Sequence, residues 1–207
     1  EIQILPGIYQ FVTGEVSISK LRNVEIEDLL GREPIQLNIE KVSKYVKDKV
    51  VLITGAGGTI GSELCRQIAV HQPKLLLLFD IYENGIFSIQ QELIRQYPEL
   101  SMVVLIGSVC DANRLNYILD RYHPNLVYHA AAHKHVPLME DSPNEAIQNN
   151  VFGTLELVKC SDHYNVEKFV LISTDKAVNP TNIMGCSKRL AEIYVQSLSI
   201  AIQKGEV

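Results

Sequence analysis

Beyond residue 48 the chain alternates between short, wholly apolar runs and longer stretches with an apolar residue every third or fourth position. The first run, Val50-Val51-Leu52-Ile53, has the continuous apolar character of a strand buried on both faces. Helical periodicity comes next at Ile60 to Val70, then a strand at Leu75 to Phe79 and a helix at Ile86 to Gln96. A strand at Met102 to Ile106, a helix at Leu115 to Arg121 and a strand at Leu126 to His129 come after these. The pattern closes with a helix from about Ala146 to Tyr164, a strand at Phe169 to Ser173 and a helix from about Gly185 to Ala201. Strands alternating with amphipathic helices pair in parallel through right-handed crossovers. The expected fold is therefore α/β, a doubly wound parallel sheet of order 3-2-1-4-5, without internal repeats or low-complexity tracts.

Residues 1–48 lack this order. Pro6-Gly7 is a turn signal, Gly14 and Gly31 break short apolar pieces, and Pro34 interrupts the stretch after Gly31. The segment predicts an irregular N-terminal arm or linker with short helices at Glu25 to Leu30 and Ile39 to Val46, ahead of one domain over 49–207. With 207 residues, 46% of them hydrophobic, there is apolar material for one full core and a smaller flanking segment. The chain starts without methionine and stops soon after a helical pattern, so the expectation is a piece of a longer protein, with the sheet truncated at its C-terminal side.

Charge and cysteine content narrow the ligand classes. The net charge is −5 and the Lys and Arg residues are scattered, so there is no basic stripe for nucleic acid or an anionic membrane. No nucleic-acid partner is expected; small molecules are. Cys65, Cys110, Cys160 and Cys186 are far apart and form no C-x-x-C, which reads as reduced structural thiols in a cytoplasmic setting. No pair of histidines or cysteines has zinc-ligand spacing, so no metal is expected. The longest apolar run, Leu75 to Phe79, falls far short of the roughly 20 residues of a membrane helix, and no membrane contact by these residues is expected.

The loops after the strands carry the chemistry. After the first strand comes Thr54-Gly55-Ala56-Gly57-Gly58-Thr59-Ile60-Gly61. Gly55 permits a tight strand-to-helix turn, Gly58 lets backbone N–H groups approach a pyrophosphate, and Gly61 allows close packing of helix on strand. Thr59 and Ile60 open a helix whose positive end faces the phosphates. Asp80 ends the second strand, 19 positions after Gly61, where a carboxylate accepts from the adenosine ribose hydroxyls and repels a 2′-phosphate; capping of the next helix is the other reading of it. Ser108 and Val109 come after the third strand, at the adenine position, and Ala130-Ala131-Ala132 after the fourth, leaving room for a cofactor. Together these predict a Rossmann-type domain that binds NAD.

The fifth strand runs into Ser173-Thr174-Asp175-Lys176, and eight residues after Lys176 begins Met184-Gly185-Cys186-Ser187-Lys188. With Gly55 to Leu64, His129-Ala130-Ala131-Ala132-His133-Lys134-His135-Val136-Pro137 and Asn150-Val151-Phe152-Gly153-Thr154, this resembles the extended short-chain dehydrogenase/reductase family. Within that family it resembles the nucleotide-sugar 4,6-dehydratases of polysaccharide and glycan biosynthesis, including the membrane-anchored type. Ile26 to Arg32 resembles the segment that precedes the catalytic domain there. The family at large carries Tyr-x-x-x-Lys with the tyrosine as acid/base, whereas Met184 stands here four residues before Lys188, and a thioether exchanges no proton. The membrane-anchored dehydratases share this methionine.

The resemblance implies that Lys188 holds the nicotinamide ribose hydroxyls and that the substrate is a UDP-sugar, facing Met184. It also implies a homo-oligomer packed through the last two long helices, and membrane-spanning helices upstream that put the parent protein at the inner face of the cell membrane. Dehydration needs a base for the C5 proton and an acid for the C6 hydroxyl. Lys176, neutral if low dielectric and neighbouring positive charge depress its pKa, and Asp175, protonated if desolvated, are the candidates; Thr174 orients the C4 hydroxyl. An ion pair opening a surface loop is the alternative for Asp175-Lys176. Lys134 and His135 read as substrate contacts, with a solvated turn before Pro137 as the alternative, and His129 as a satisfied core histidine.

Three functions fit: a UDP-N-acetylglucosamine 4,6-dehydratase-like lyase, a UDP-sugar epimerase, and a cofactor-binding module without catalysis. Met184 disfavours the epimerase, whose C4 hydroxyl must be re-formed by an acid/base. The sequence ends before the C-terminal subdomain with which extended members hold the sugar, so these residues are expected to bind NAD and to turn over poorly.

Overall fold

The computed structural model describes residues 3–4, 22–23 and 39–205. Internal contacts divide the chain into Glu1–Ile39 and Glu40–Val207. In the first unit β1 (Gln3–Ile4) and β2 (Arg22–Asn23) pair antiparallel, with Gln3 opposite Asn23. The helix expected at Glu25 to Leu30 lies outside the described residues; the one expected at Ile39 to Val46 is α1 (Ile39–Val46).

The second unit keeps the predicted alternation. Its strands are β3 (Val50–Thr54), β4 (Leu75–Asp80), β5 (Met102–Ile106), β6 (Leu126–His129) and β7 (Lys168–Leu171). They form one parallel sheet of order β5-β4-β3-β6-β7, which is 3-2-1-4-5 along the chain. The helices between them are α2 (Thr59–Ala69), α3 (Glu83–Gln96) and α4 (Ala112–Tyr122). Strand alternation sends Val51, Ile53, Leu76 and Leu78 to one face, against Cys65 and Ile68 of α2 and Ile86, Ile89 and Leu93 of α3. Leu52, Leu77, Phe79 and Val127 go to the other face, against Leu115, Ile118 and Leu119 of α4 and Leu157 beyond it. Burial on both faces is why these strands are uniformly apolar.

At the end of the sheet away from the glycine turn, polar groups fix the strand entries. Asn125 Oδ1 accepts from Val50 N at 2.9 Å, and its Nδ2 donates to Glu167 Oε1 at 2.8 Å. Lys49 Nζ donates to both Glu167 carboxylate oxygens, at 2.7 and 2.8 Å. β3, β6 and β7 are thereby tied at one level.

Three elements depart from the sequence reading. A short helix α5 (Val136–Asp141) forms where the sequence reading gave no element, with Pro137 well accommodated in its first turn. The single helix expected from Ala146 to Tyr164 is instead α6 (Pro143–Ala146), a π-helical stretch (Ile147–Gly153) and α7 (Thr154–His163). At the end of that stretch the Thr154 hydroxyl donates to Asn150 O at 2.7 Å, and Gly153 lies against Val109. β7 ends at Leu171, before Ser173, because the next carbonyl, Ile172 O, accepts from Lys188 Nζ at 2.7 Å. A 3₁₀ turn (Asp175–Ala177) and α8 (Ile183–Lys204) complete the chain.

Leu77 is fully buried in the second strand from the edge. Leu77→Ala is expected to destabilise the domain by about 2–5 kcal/mol through lost transfer energy and a residual cavity, read as a lowered urea midpoint at unchanged m-value.

Candidate functional site

Backbone crowding makes the turn between β3 and α2. Gly55 has φ +70°, and a Cβ there would meet Ala131 N at 2.6 Å and Ala130 C at 2.7 Å. A side chain at Gly61 would run into the Gly55 carbonyl, so α2 seats directly on the turn. Gly57, which the sequence reading gave no part, is equally constrained: a Cβ would lie 2.6 Å from Ile86 N, and one on Gly85 would lie 2.5 Å from Gly57 O. Gly58 meets only its own turn, at 3.3 Å from Gly55 O. α2 starts there without a side-chain cap and with no acidic residue in its first turn, an arrangement suited to an external anion.

Asp80 closes the turn from the next strand. Its Oδ2 accepts from Gly57 N at 2.7 Å and its Oδ1 from Tyr82 N at 2.9 Å. The carboxylate thus faces the glycine turn while also ordering the chain into α3. It lines a cavity of about 260 Å³ with Gly55, Ser108, Val109 and Ala131. Cys110, His133, Glu145, Gln148 and Asn149 complete the far wall.

A second cavity of about 400 Å³ opens along the same edge of the sheet, lined by Ile60, Ala130, Ala132, His133, Lys134, Thr174, Lys176, Met184 and Lys188. Met184 is 3% exposed and packs on Met139 and Ala146, giving the cavity an apolar floor. Lys188 is 4% exposed, and burial pulls its ammonium down to about 8, partly countered by Glu192. Glu192 is itself held below the usual carboxylate range, first by the Ser173 side chain and then by Arg189. Gly185, pressed against the Lys176 carbonyl, brings α8 up to the 3₁₀ turn. Asn182 Oδ1 caps α8 at Gly185 N, 2.8 Å, and Glu140 Oε1 accepts from Ile183 N at 2.7 Å.

All the residues predicted for the site except Gly58, Thr59, Gly61 and Asp175 line one of these two cavities; Thr59, Gly61 and Asp175 are next in the chain to a lining residue, and Gly58 is two positions from Ile60. The expected environment of the acid/base pair is corrected. Half of the Lys176 side chain is exposed, and so is 86% of Asp175. The Asp175 carboxyl is held below its usual range, not raised, chiefly by the Thr174 hydroxyl at 2.9 Å and then by Lys176 Nζ at 3.2 Å. Desolvation acts on Lys188 instead. In this structure Asp175-Lys176 is an ion pair at the cavity mouth.

A buried polar chain supports both cavities. His129 is fully buried, with Nδ1 2.7 Å from Thr54 Oγ1 and Nε2 2.9 Å from Thr154 Oγ1, the satisfied core histidine that was expected. Asn150, also fully buried, accepts at Oδ1 from His133 N (2.8 Å) and donates from Nδ2 to His133 O (3.0 Å) and Ser187 Oγ (2.9 Å). It clamps the loop after β6 to the helix that carries Lys188. The sequence reading quoted Asn150 within a matching segment but gave it no role; its position before Gly153-Thr154 was the available signal. Among the described residues no group of three or more His, Cys, Asp or Glu is placed to hold a metal ion, and no helix is long and apolar enough to cross a membrane.

The family model described as "Polysaccharide biosynthesis protein" matches residues 51–206. The chain is 46% identical over 200 residues to the capsular polysaccharide biosynthesis protein CapD of Staphylococcus aureus, covering 96% of this chain and 33% of that protein. It is 31% identical over 158 residues to a UDP-N-acetylglucosamine 4,6-dehydratase (inverting) of Campylobacter jejuni, covering 75% of this chain and 46% of that one. The X-ray structure of Pen from Bacillus thuringiensis superposes with a TM-score of 0.69 at 33% identity, over 74% of this chain and 47% of the other. The chain thus spans a third to a half of the length of these relatives.

Burial of neutral His129 makes stability pH-dependent. Its folded-state pKa is pulled down to about 3, first by desolvation and then by Lys188, while the unfolded imidazole titrates near 6.5. The contribution is whole above about pH 6.5 and is lost at about 1.4 kcal/mol per unit as the pH falls toward 3. Urea unfolding at pH 7 and 5.5 should show a loss of about 1 kcal/mol from this group, and His129→Gln should flatten that slope.

Proposed function

Because this chain belongs to the polysaccharide biosynthesis protein family, we propose that residues 49–207 form the NAD-binding domain of an enzyme that dehydrates a UDP-hexose. UDP-N-acetylglucosamine is the first candidate, and the product is a 4-keto-6-deoxy sugar nucleotide. The observation that carries this reading is the pairing of two cavities on one sheet edge. One is walled by a carboxylate tied to the glycine turn, the other by three lysines over a methionine floor. The match to CapD and the printed activity of the Campylobacter relative support it.

The residues fit NAD. The uncapped start of α2, where a Cβ on Gly58 would meet only the Gly55 carbonyl of the same turn, suits a diphosphate. Asp80, in the first cavity, suits ribose hydroxyls and disfavours a 2′-phosphate. Bound there, NAD would supply the hydride acceptor for C4 of the sugar and the hydride donor for C6. Lys188 donates one N–H to Ile172 O and directs the others at the nicotinamide ribose. The C4 hydroxyl, oriented by Thr174, gives its proton to water at the cavity mouth as hydride leaves C4; Lys176 takes the C5 proton, Asp175 protonates the C6 oxygen as it leaves as water, and a solvent-derived proton returns to C5 as hydride returns to C6. Met184 cannot return a proton to the C4 oxygen, which favours elimination over epimerisation at this site.

Calorimetric titration of this chain should show NAD bound more tightly than NADP, with Asp80→Ala weakening NAD roughly tenfold and narrowing that preference. No NAD uptake at millimolar concentration sinks the cofactor reading.

In the complete protein, UDP-N-acetylglucosamine should be consumed without accumulation of NADH and with solvent deuterium incorporated at C5. Lys176→Met should lower kcat by about 10²–10⁴-fold. A product that retains its C6 oxygen would establish epimerisation instead.

A further inference from the structure

The two cavities are lined by alternate residues of one loop. Ala131 faces the first, and Ala130 and Ala132 face the second. The opposite wall divides in the same way, with Gly55 on the first cavity and Ile60 on the second. Among the described residues His133 alone lines both. A ligand with one nucleoside in each cavity must carry its linker between the turn 55–60 and His133. In a dinucleotide that linker is the diphosphate.

The position of His133 is fixed from beneath. Its backbone N–H and C=O are both engaged by the fully buried Asn150 amide, so the loop cannot shift without breaking two hydrogen bonds inside the protein. The side chain itself is exposed at the waist of the cleft. The charged and titratable groups around that waist are unequally placed: Asp80, Cys110 and Glu145 line the first cavity, and Lys134, Lys176 and Lys188 the second. A diphosphate at the waist meets carboxylates on its adenosine side and needs a donor there. Ser108, Gln148 and Asn149 carry donors on the first cavity alone, and His133 is the donor among the described residues that lines both.

We propose that His133 is a binding residue for the diphosphate, its imidazole N–H donating to a diphosphate oxygen across from the start of α2. The proposal rests on the NAD reading and adds to it a contact from the loop after β6, opposite the glycine turn. It also accounts for the Asn150 clamp, which holds in register the loop that would make this contact.

The test compares ligands that do and do not carry the linker. NAD and ADP-ribose are titrated calorimetrically and adenosine by nuclear magnetic resonance, into the unaltered chain, His133→Leu and His133→Gln. His133→Leu is expected to weaken NAD and ADP-ribose about tenfold, the scale of one charge-assisted hydrogen bond, and to leave adenosine within twofold. His133→Gln, which keeps an N–H donor, should recover most of the loss. Equal losses for all three ligands would mark a loop-shape effect and overturn the proposal, as would NAD and ADP-ribose affinities unmoved by His133→Leu. Failure of the unaltered chain to take up either diphosphate ligand sinks the NAD reading and this contact together; uptake indifferent to His133 sinks the contact alone.

Discussion

Everything at the site depends on how closely three backbones meet beneath the start of α2. The Gly55 carbonyl lies where a side chain on Gly61 would stand, Gly55 itself is pressed on Ala130 and Ala131, and Gly57 and Gly85 leave each other no room for a Cβ. Only residues without a side chain allow this approach. It brings the α2 N-terminus, the loop after β6 and the entry to α3 within reach of one ligand. Asp80 draws its position from the same contact, since its carboxylate accepts from the N–H of Gly57. Enlarging any of these glycines would move several walls of the cleft at once.

A second level of order is polar and buried. Thr54, His129 and Thr154 join β3, β6 and α7 in one hydrogen-bonded row, and Thr154 turns back to the Asn150 carbonyl inside the π-helical stretch. The wider turn of that stretch accompanies the placement of Asn150 between the loop at His133 and Ser187 of α8. No buried side-chain polar atom among the described residues lacks a partner, so the row stabilises a single arrangement rather than adding strain. Burial of Lys188 is tolerated on the same terms, with one N–H on Ile172 O and Glu192 near enough to favour its charge.

The range of each interaction decides whether the sequence discloses it. Strands such as Val50–Thr54 and Leu75–Asp80 are legible because burial on both faces demands an uninterrupted apolar run. The spacing of Gly55, Gly58 and Gly61 is legible because a local turn requires it. Gly57 and Gly85 were not, since their constraint comes from each other across 28 positions, and no local pattern encodes it. The break at Ile147–Gly153 was hidden for a related reason: Asn149, Asn150 and Gly153 are weak helix formers but do not by themselves specify a wider turn, which goes with where Asn150 and Thr154 find partners in space. The position of Asp175 and Lys176 just after a strand is legible, but their solvation is a property of what covers them, which spacing along the chain does not contain.

For the dehydration proposed above, the solvation of this pair would govern the chemistry. Elimination across C5 and C6 asks for a neutral amine and a protonated carboxyl, and the structure holds the opposite pair, a carboxylate stabilised by Thr174 and by Lys176 Nζ at 3.2 Å. The two states differ by one proton moved from Lys176 to Asp175 along an existing hydrogen bond. Water favours the ionic form because it solvates both charges; removing water raises the energy of the separated charges and leaves the neutral pair nearly untouched. Under the proposed dehydration, a sugar nucleotide laid over the cavity mouth would therefore do more than position the reacting carbons. By drying Asp175-Lys176 it would favour the base and the acid that the proposed step requires, and only while it is bound. On this account the exposure of the pair in the open cleft is the resting condition of the mechanism, and Lys188, already dry, is kept out of the exchange by its bond to Ile172 O.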